Sequence, residues 1–285
     1  MTYLQFHLVF MAPPLLVLAA LVWRAPERLG SRALWTLPAV ALIALVYTTP
    51  WDNYLVYRGI WWYGTDRVMG TIGYVPVEEY MFFLLQPLLA GAWTYLLLMR
   101  MRSGPEDREA WSSARVRTGR AGGDATRDAV SEALHDGLTL SLGSVRAVGV
   151  GIYLVFAAAG VLALTFERGL YLGLILAWAA PVLAAQWIFA GPALARAPGV
   201  FAAAVGVPTL YLWVADRIAI GAGIWSISPQ YTTGLHLLGL PIEEALFFLV
   251  TNVLVVQGVV LFLQPNLVAL PAAGGARALA PSRVA

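Results

Sequence analysis

Two stretches of this sequence carry acid side chains in a pattern suited to moving protons. Pro76-Val77-Glu78-Glu79-Tyr80-Met81-Phe82-Phe83 recurs as Pro241-Ile242-Glu243-Glu244-Ala245-Leu246-Phe247-Phe248, 165 residues further on. Proline at a first turn marks a helix start, since its missing N–H would be unpaired there anyway. Acidic residues just after it gain from the helix dipole, so either pair alone also fits a plain interfacial helix terminus. At about 100° per residue, Glu79, Phe82, Phe83 and Gln86 share one face, with Glu78 at its margin. In the second copy Glu244, Phe247, Phe248 and Thr251 share it, with Glu243 at the edge. Apolar runs upstream, Thr71–Val75 and Leu237–Leu240, put these carboxyls below a membrane surface. A charge at the centre of a spanning helix costs about 2.5–3.5 kcal/mol, so ionisable residues there are functional candidates by default. Carboxyls gathered in an apolar pocket cannot all ionise; a protonated member is a general acid, and an ionised neighbour is a base or a cation stabiliser.

A second pattern stands before each acid pair. Asp52 is followed by Gly59-Ile60-Trp61, and Asp216 by Gly223-Ile224-Trp225. Trp51, Trp61, Trp62, Tyr63, Trp213 and Trp225 gather near the same rim as the glutamates, where aromatic faces would stabilise a cation by about 0.5–2 kcal/mol each. Tryptophan and tyrosine also form ordinary interfacial belts, and the two aspartates also fit loop-capping positions. Other chemistry is missing. There is no cysteine, hence no thiolate, disulfide or cysteine metal site. His7, His135 and His236 are too few and too scattered for a metal site. There is no lysine either, which excludes a retinal Schiff base despite the helix count derived below. No Asp-rich diphosphate motif appears, and Gly149-Val150-Gly151 opens a membrane helix rather than a dinucleotide loop. The chemistry is left to carboxyls and aromatics, with no cofactor, no metal and no nucleic acid expected.

The elements that must position these residues are membrane helices. Of 285 residues, 60% are hydrophobic and 12% charged, against about 45–50% and about 25% in soluble domains. A bilayer core needs roughly 20 apolar residues per helix. Seven stretches qualify, at about 3–23, 33–50, 75–99, 147–166, 170–190, 198–220 and 239–263. The first lacks a basic leader and a small-residue cleavage site, so a cleaved signal peptide is not expected. A helix from Gly70 to Met99 would be long for a straight span, which predicts a kinked or partly re-entrant start at Pro76. With the N-terminus outside, the inner segments hold fourteen arginines and the outer ones four (Arg58, Arg67, Arg168 and Arg217). The positive-inside rule favours that orientation, with a cytoplasmic C-terminus at the cell membrane. The polar stretch 101–146 reads as a flexible cytoplasmic linker with one short helix near Asp128–His135.

Fixed-offset self-similarity organises the rest. Tyr3-Leu4 and Ala12-Pro13 recur as Tyr171-Leu172 and Ala180-Pro181, and the Asp and Glu-Glu elements follow in the same order at nearly the same offset. The reading is an all-α integral membrane protein: a first three-helix repeat over 1–100, the linker 101–146, a connecting helix over 147–168, a second repeat over 169–264 and a tail over 265–285. Three helices reverse the chain and the fourth restores its direction, so the repeats are parallel and share a site at their interface.

These residues resemble the membrane-integral lycopene cyclase family, in the fused form of its two-subunit type. That family's repeat ends in Pro-x-Glu-(Glu/Asp)-x-x-Phe-Phe, as at 76–83 and 241–248, and its upstream Asp and Gly-x-Trp elements are similar to those quoted above. Ala215 stands where the first copy has Trp51, so the copies are not equivalent. The resemblance implies a carotenoid end-group cyclase acting on lycopene or a related acyclic carotenoid within membrane lipid, beside other carotenoid-pathway enzymes. It implies a redox-neutral reaction of the intramolecular lyase or isomerase type. It carries over Glu78 and Glu243 as the acid–base pair, whereas the helical-face argument favours Glu79 and Glu244; all four stay candidates. Asp52, Trp61, Phe82, Phe83, Asp216, Trp225, Phe247 and Phe248 are the candidate substrate-binding residues. The rival readings are a small-solute transporter built from parallel three-helix repeats and a non-catalytic carotenoid-binding subunit. Against transport, the middle of the third helix is almost free of polar residues, and the seventh offers only Asn252 and Gln257.

Overall fold

The computed structural model describes residues 1–24, 31–101 and 125–267, with side chains over 142–263 in the last stretch. Among the described residues, seven helices are long and apolar enough to cross a membrane. They are α1 (Tyr3–Trp23), α2 (Ala33–Tyr57), α3 (Val77–Met101), α4 (Ala125–Ala163), α5 (Leu170–Arg196), α6 (Pro198–Gly221) and α7 (Ile242–Leu267). The chain is a multi-pass membrane protein. Its outer face fits that solvent: Trp23, Leu42, Val46, Val155 and Val214 all stand exposed, more apolar surface than water would tolerate. Helices α3 and α7 form the centre, with 61% of their apolar windows enclosed against 11% for α4.

The two central helices start the same way. Strands β2 (Thr71–Ile72) and β3 (Val75–Pro76) form a hairpin directly before α3, and β5 (His236–Leu237) and β6 (Leu240–Pro241) form one before α7. Val77 N–H bonds Gly70 O, and Ile242 N–H bonds Leu235 O, each at 3.0 Å, closing the loop below its hairpin. The chain therefore reaches Glu78 through a tight hairpin, and the helix begins cleanly at Val77, rather than by the kinked or re-entrant start expected at Pro76. Proline fits there because a strand-edge position needs no N–H.

Strands β1 (Trp61–Tyr63) and β4 (Trp225–Ile227) pair antiparallel, with Trp62 opposite Ser226. Each follows a helix stop. Gly59 and Gly223 both have φ of 65°, a left-handed backbone that glycine takes without strain. Gly59 and Ile60 N–H groups bond back to Val56 and Leu55, while Gly223 and Ile224 bond to Ile220 and Ala219, the double bond that ends a helix. The Gly-Ile-Trp triplets are thus helix stops that bury the isoleucine and turn the tryptophan inward. Helix α2 runs past its apolar stretch to Tyr57, because Pro50 removes one hydrogen bond without ending it. Asp52 and Asp216 accordingly sit within helices, about two turns before the glycine, and do not cap loops.

Helix α4 begins at Ala125, inside the stretch read as linker, so the short helix near Asp128–His135 is its first part. Residues 102–124 of that linker and 268–285 of the tail lie outside the described residues. At mid-depth, Gln86 Nε2 donates to Asn252 Oδ1 at 2.8 Å, and Asn252 Nδ2 to Thr209 Oγ1 at 3.0 Å, joining α3, α7 and α6. Gln257 Nε2 donates to the Tyr153 hydroxyl at 2.7 Å, joining α7 to α4. Asn252 and Gln257 are fully buried; they hold helices together, each such bond contributing about 0.6–2 kcal/mol in a membrane.

Candidate active site

All four glutamates are buried, none more than 5% exposed, and so are Asp52 and Asp216. Glu79 Oε2 accepts hydrogen bonds from the Tyr3 hydroxyl at 2.7 Å and the Tyr63 hydroxyl at 3.2 Å. Glu244 Oε1 accepts one from the Tyr171 hydroxyl at 2.5 Å. Tyr63 lies on β1, outside the spanning helices. Burial, with Glu79 and Asp52 nearby, pushes its phenol well above its ordinary value of 10, so it remains a donor. Glu78 and Glu243 turn the other way. Their Oε1 atoms accept backbone N–H groups of Met69 (2.9 Å) and Thr233 (2.6 Å), which ties each helix start to the loop before its hairpin. Electrostatic reach links Glu79 with Asp52, Asp216 and Glu244. In a low-dielectric pocket those carboxyls compete for charge.

A cavity of about 20 Å³ lies between them, with Glu79, Asp216 and Glu244 in its wall. That is room for about one water. Its other walls are aromatic: Tyr3, Trp61, Tyr63, Phe82, Trp225 and Phe247 among them. The β1–β4 pairing crosses the tryptophans over. Trp61 meets Tyr171 at 5.7 Å and Phe247 at 5.9 Å, while Trp225 meets Tyr3 at 4.9 Å and Phe6 at 5.3 Å. Phe82 and Phe248 meet edge to face at 6.2 Å. The chamber therefore needs both parts of the chain. The two aspartates differ: Asp216 accepts Trp225 Nε1–H at 2.9 Å, whereas both oxygens of Asp52 and Trp61 Nε1 are buried with no partner.

Next to the chamber runs a cavity of about 270 Å³ lined by α2, α3, α5 and α7. Phe82 and Phe247 belong to both walls, so they are the partition between cavity and carboxyls. The larger cavity is mainly apolar, with Thr48, Gln86, Gln186 and Thr251 as polar points in its wall, and it reaches the outside of the bundle at Ile43 and Phe262, which are exposed. An oily chain could lie there with one end facing the acids.

The family model described as lycopene cyclase matches this chain over residues 2–97 and 168–262. The chain belongs to the lycopene cyclase family. It is 44% identical to the lycopene beta-cyclase of Halobacterium salinarum, over 92% of this chain and 95% of that protein. It is 31% identical to the bifunctional lycopene cyclase/phytoene synthase of Aspergillus oryzae and 33% identical to that of Blakeslea trispora. Each covers 90% of this chain, which spans 39% and 38% of those longer proteins. No solved structure matches.

Within this cyclase the residues singled out from sequence fall into layers. Glu79, Glu244, Asp216, Trp61, Trp225, Phe82, Phe247 and Phe248 line the small chamber. Phe83 lines the larger cavity. Asp52, Glu78 and Glu243 lie buried outside the chamber wall. The sequence assigns no role to Tyr3 or Tyr171 and reads Tyr63 only as a rim aromatic, not as a hydrogen-bond donor. Tyr3 and Tyr171 were visible as a recurring pair at matching positions of their helices, but nothing in a sequence says which carboxyl a tyrosine will meet.

Proposed function

We propose that this cyclase converts lycopene, or a related acyclic carotenoid, to a ring-bearing isomer by acid-initiated cyclisation, with Glu79 and Glu244 as the proton donor and acceptor. A carboxyl proton adds to the terminal double bond, forming a C–H bond and a tertiary cation. The neighbouring double bond attacks that cation and closes the ring. Loss of a ring proton to a carboxylate restores a double bond, so no electrons are gained or lost. Water would quench the cation, and an aromatic chamber with room for about one water suits that need. The carrying observation is the pair of phenol-held glutamates facing each other across aromatic walls, beside an apolar cavity. The hydrocarbon would lie in the larger cavity, its end group meeting the acids once Phe82 and Phe247 turn aside.

The same reading includes two parallel three-helix units sharing one site. The strand register supports it: residues 61, 62 and 63 pair with 227, 226 and 225, the pattern a two-fold relation between units would give. Arginine placement supports an outer N-terminus and a cytoplasmic C-terminus. The transporter alternative draws no support from the relatives named above, and Asn252 and Gln257 are occupied in joining helices.

Expression in a host that accumulates lycopene, followed by pigment chromatography, tests the function. Cyclic carotenoid replacing lycopene is the expected result. Unchanged lycopene beside membrane-inserted protein would refute it.

A further inference from the structure

One buried titratable group has no part in the scheme above. His7 is 2% exposed and opens a π-helical turn, His7–Met11, inside α1. Its Nε2 lies 2.8 Å from the backbone carbonyl of Glu78. A carbonyl can only accept, so Nε2 carries the hydrogen and the lone pair of the neutral ring is on Nδ1. That Nδ1 is buried without a partner, and so is Oε2 of Glu78. The imidazole and the Glu78 carboxyl are within electrostatic reach of each other. The ring is stacked between Tyr3 at 4.8 Å and Phe82 at 6.2 Å, and both are walls of the chamber. His7 therefore stands one layer behind the acids, against the residue that holds Glu79.

The other half of the molecule lacks this group. Tyr3 and Ala12-Pro13 match Tyr171 and Ala180-Pro181 at one offset, so His7 corresponds to Ile175, fully buried in the unbroken helix α5. Glu243 is held like Glu78 and also has an unpartnered buried Oε2, but an alkyl chain stands where the first half has a base. Isoleucine evidently satisfies packing at that place. An unpaired imidazole nitrogen is costly to bury, and π turns are uncommon and favour functional sites.

We propose that His7 is a positioning residue for proton transfer in the first half of the site: protonated Glu78 turns its Oε2 toward the imidazole and donates to Nδ1 during turnover, pairing the two atoms that stand unpartnered at rest. Resting on the cyclase reading, this makes Glu78 the store that resupplies Glu79 between turnovers. In that step an O–H bond on Glu78 breaks and one on Glu79 forms; the ring proton taken by Glu244 is released to water, and water reprotonates Glu78. His7 keeps its Nε2 hydrogen throughout, and nothing is oxidised or reduced.

The test compares His7→Gln, His7→Asn and His7→Ile with wild type in membranes supplied with lycopene, rates being normalised to inserted protein. Glutamine keeps a donor for the Glu78 carbonyl but removes the Nδ1 acceptor, whereas asparagine offers an oxygen near the Nδ1 position and loses the donor. The expected order of kcat is wild type, then Asn, then Gln and Ile together, with Gln down about tenfold or more and KM within about twofold. A merely structural histidine predicts Gln as the best variant; that order, or a wild-type kcat in Gln, overturns the inference while leaving the cyclase intact. A wild type inert toward lycopene overturns both.

Discussion

Tyr3, Tyr63 and Tyr171 decide how the two central glutamates are presented. Glu79 has two phenol donors and Glu244 has one, because Ile227 stands opposite Trp61 in the strand pairing, at the place matching Tyr63. Tyr171→Phe therefore leaves Glu244 without the one phenol that reaches it among the described residues, a loss of about 1–3 kcal/mol for a buried polar partner. Tyr3→Phe leaves Glu79 with Tyr63. The expected outcome is a larger fall in cyclic pigment per unit of inserted protein for Tyr171→Phe, by about tenfold or more; equal effects would refute this account of the asymmetry. Glu79→Gln and Glu244→Gln should each leave lycopene uncyclised, since an amide neither gives nor takes the required proton; pigment chromatography of each variant reads this directly. The glutamates were legible in the sequence because helical spacing fixes their face. The phenols were not, because their partners lie 76 and 73 residues away in the chain and only folding reveals such a pairing.

At the level of elements, the hairpins and helix stops aim the site. The aspartate-to-glycine spacing was visible, but its meaning was not, because a helix stop depends on backbone angles that composition does not state. Apolar length also underestimated α2: its last turns carry Asp52 and Asn53 and it stops just before Arg58, so hydropathy ended before the hydrogen bonding did. The polar start of α4 was hidden for the same reason. The joint between β1 and β4 yields a sharp prediction. A Cβ on Gly64 would run into the backbone carbonyl oxygen of Gly223, which has no side-chain freedom to yield. Gly64→Ala should therefore disturb the strand pairing and cost about 1–3 kcal/mol. Thermal unfolding of the detergent-purified protein should show a lowered midpoint together with reduced cyclisation; an unchanged midpoint would mean the joint is not under that constraint.

For the whole molecule, the seven-helix architecture followed from apolar lengths, whereas the cavity beside the acids did not, since its wall is shared by four helices, α2, α3, α5 and α7, that only folding brings together. Gly258 lies in its wall, where a Cβ would meet only Gln186 and Val40 at 3.6 Å, ordinary contact. Gly258→Ala should thus be near neutral, and Gly258→Leu should fill the cavity and lower kcat/KM for lycopene by about tenfold, as overpacking costs about 1–3 kcal/mol. Equal rates for the two variants would place the substrate elsewhere. The central claim is that a proton from the carboxyl chamber starts a redox-neutral ring closure. Membranes equilibrated in D2O and then supplied with lycopene test it by mass spectrometry of the product. The account predicts a ring-bearing isomer of lycopene that carries deuterium at the carbon protonated in the first step. A product free of deuterium, or one that has gained or lost a pair of hydrogens, would contradict it.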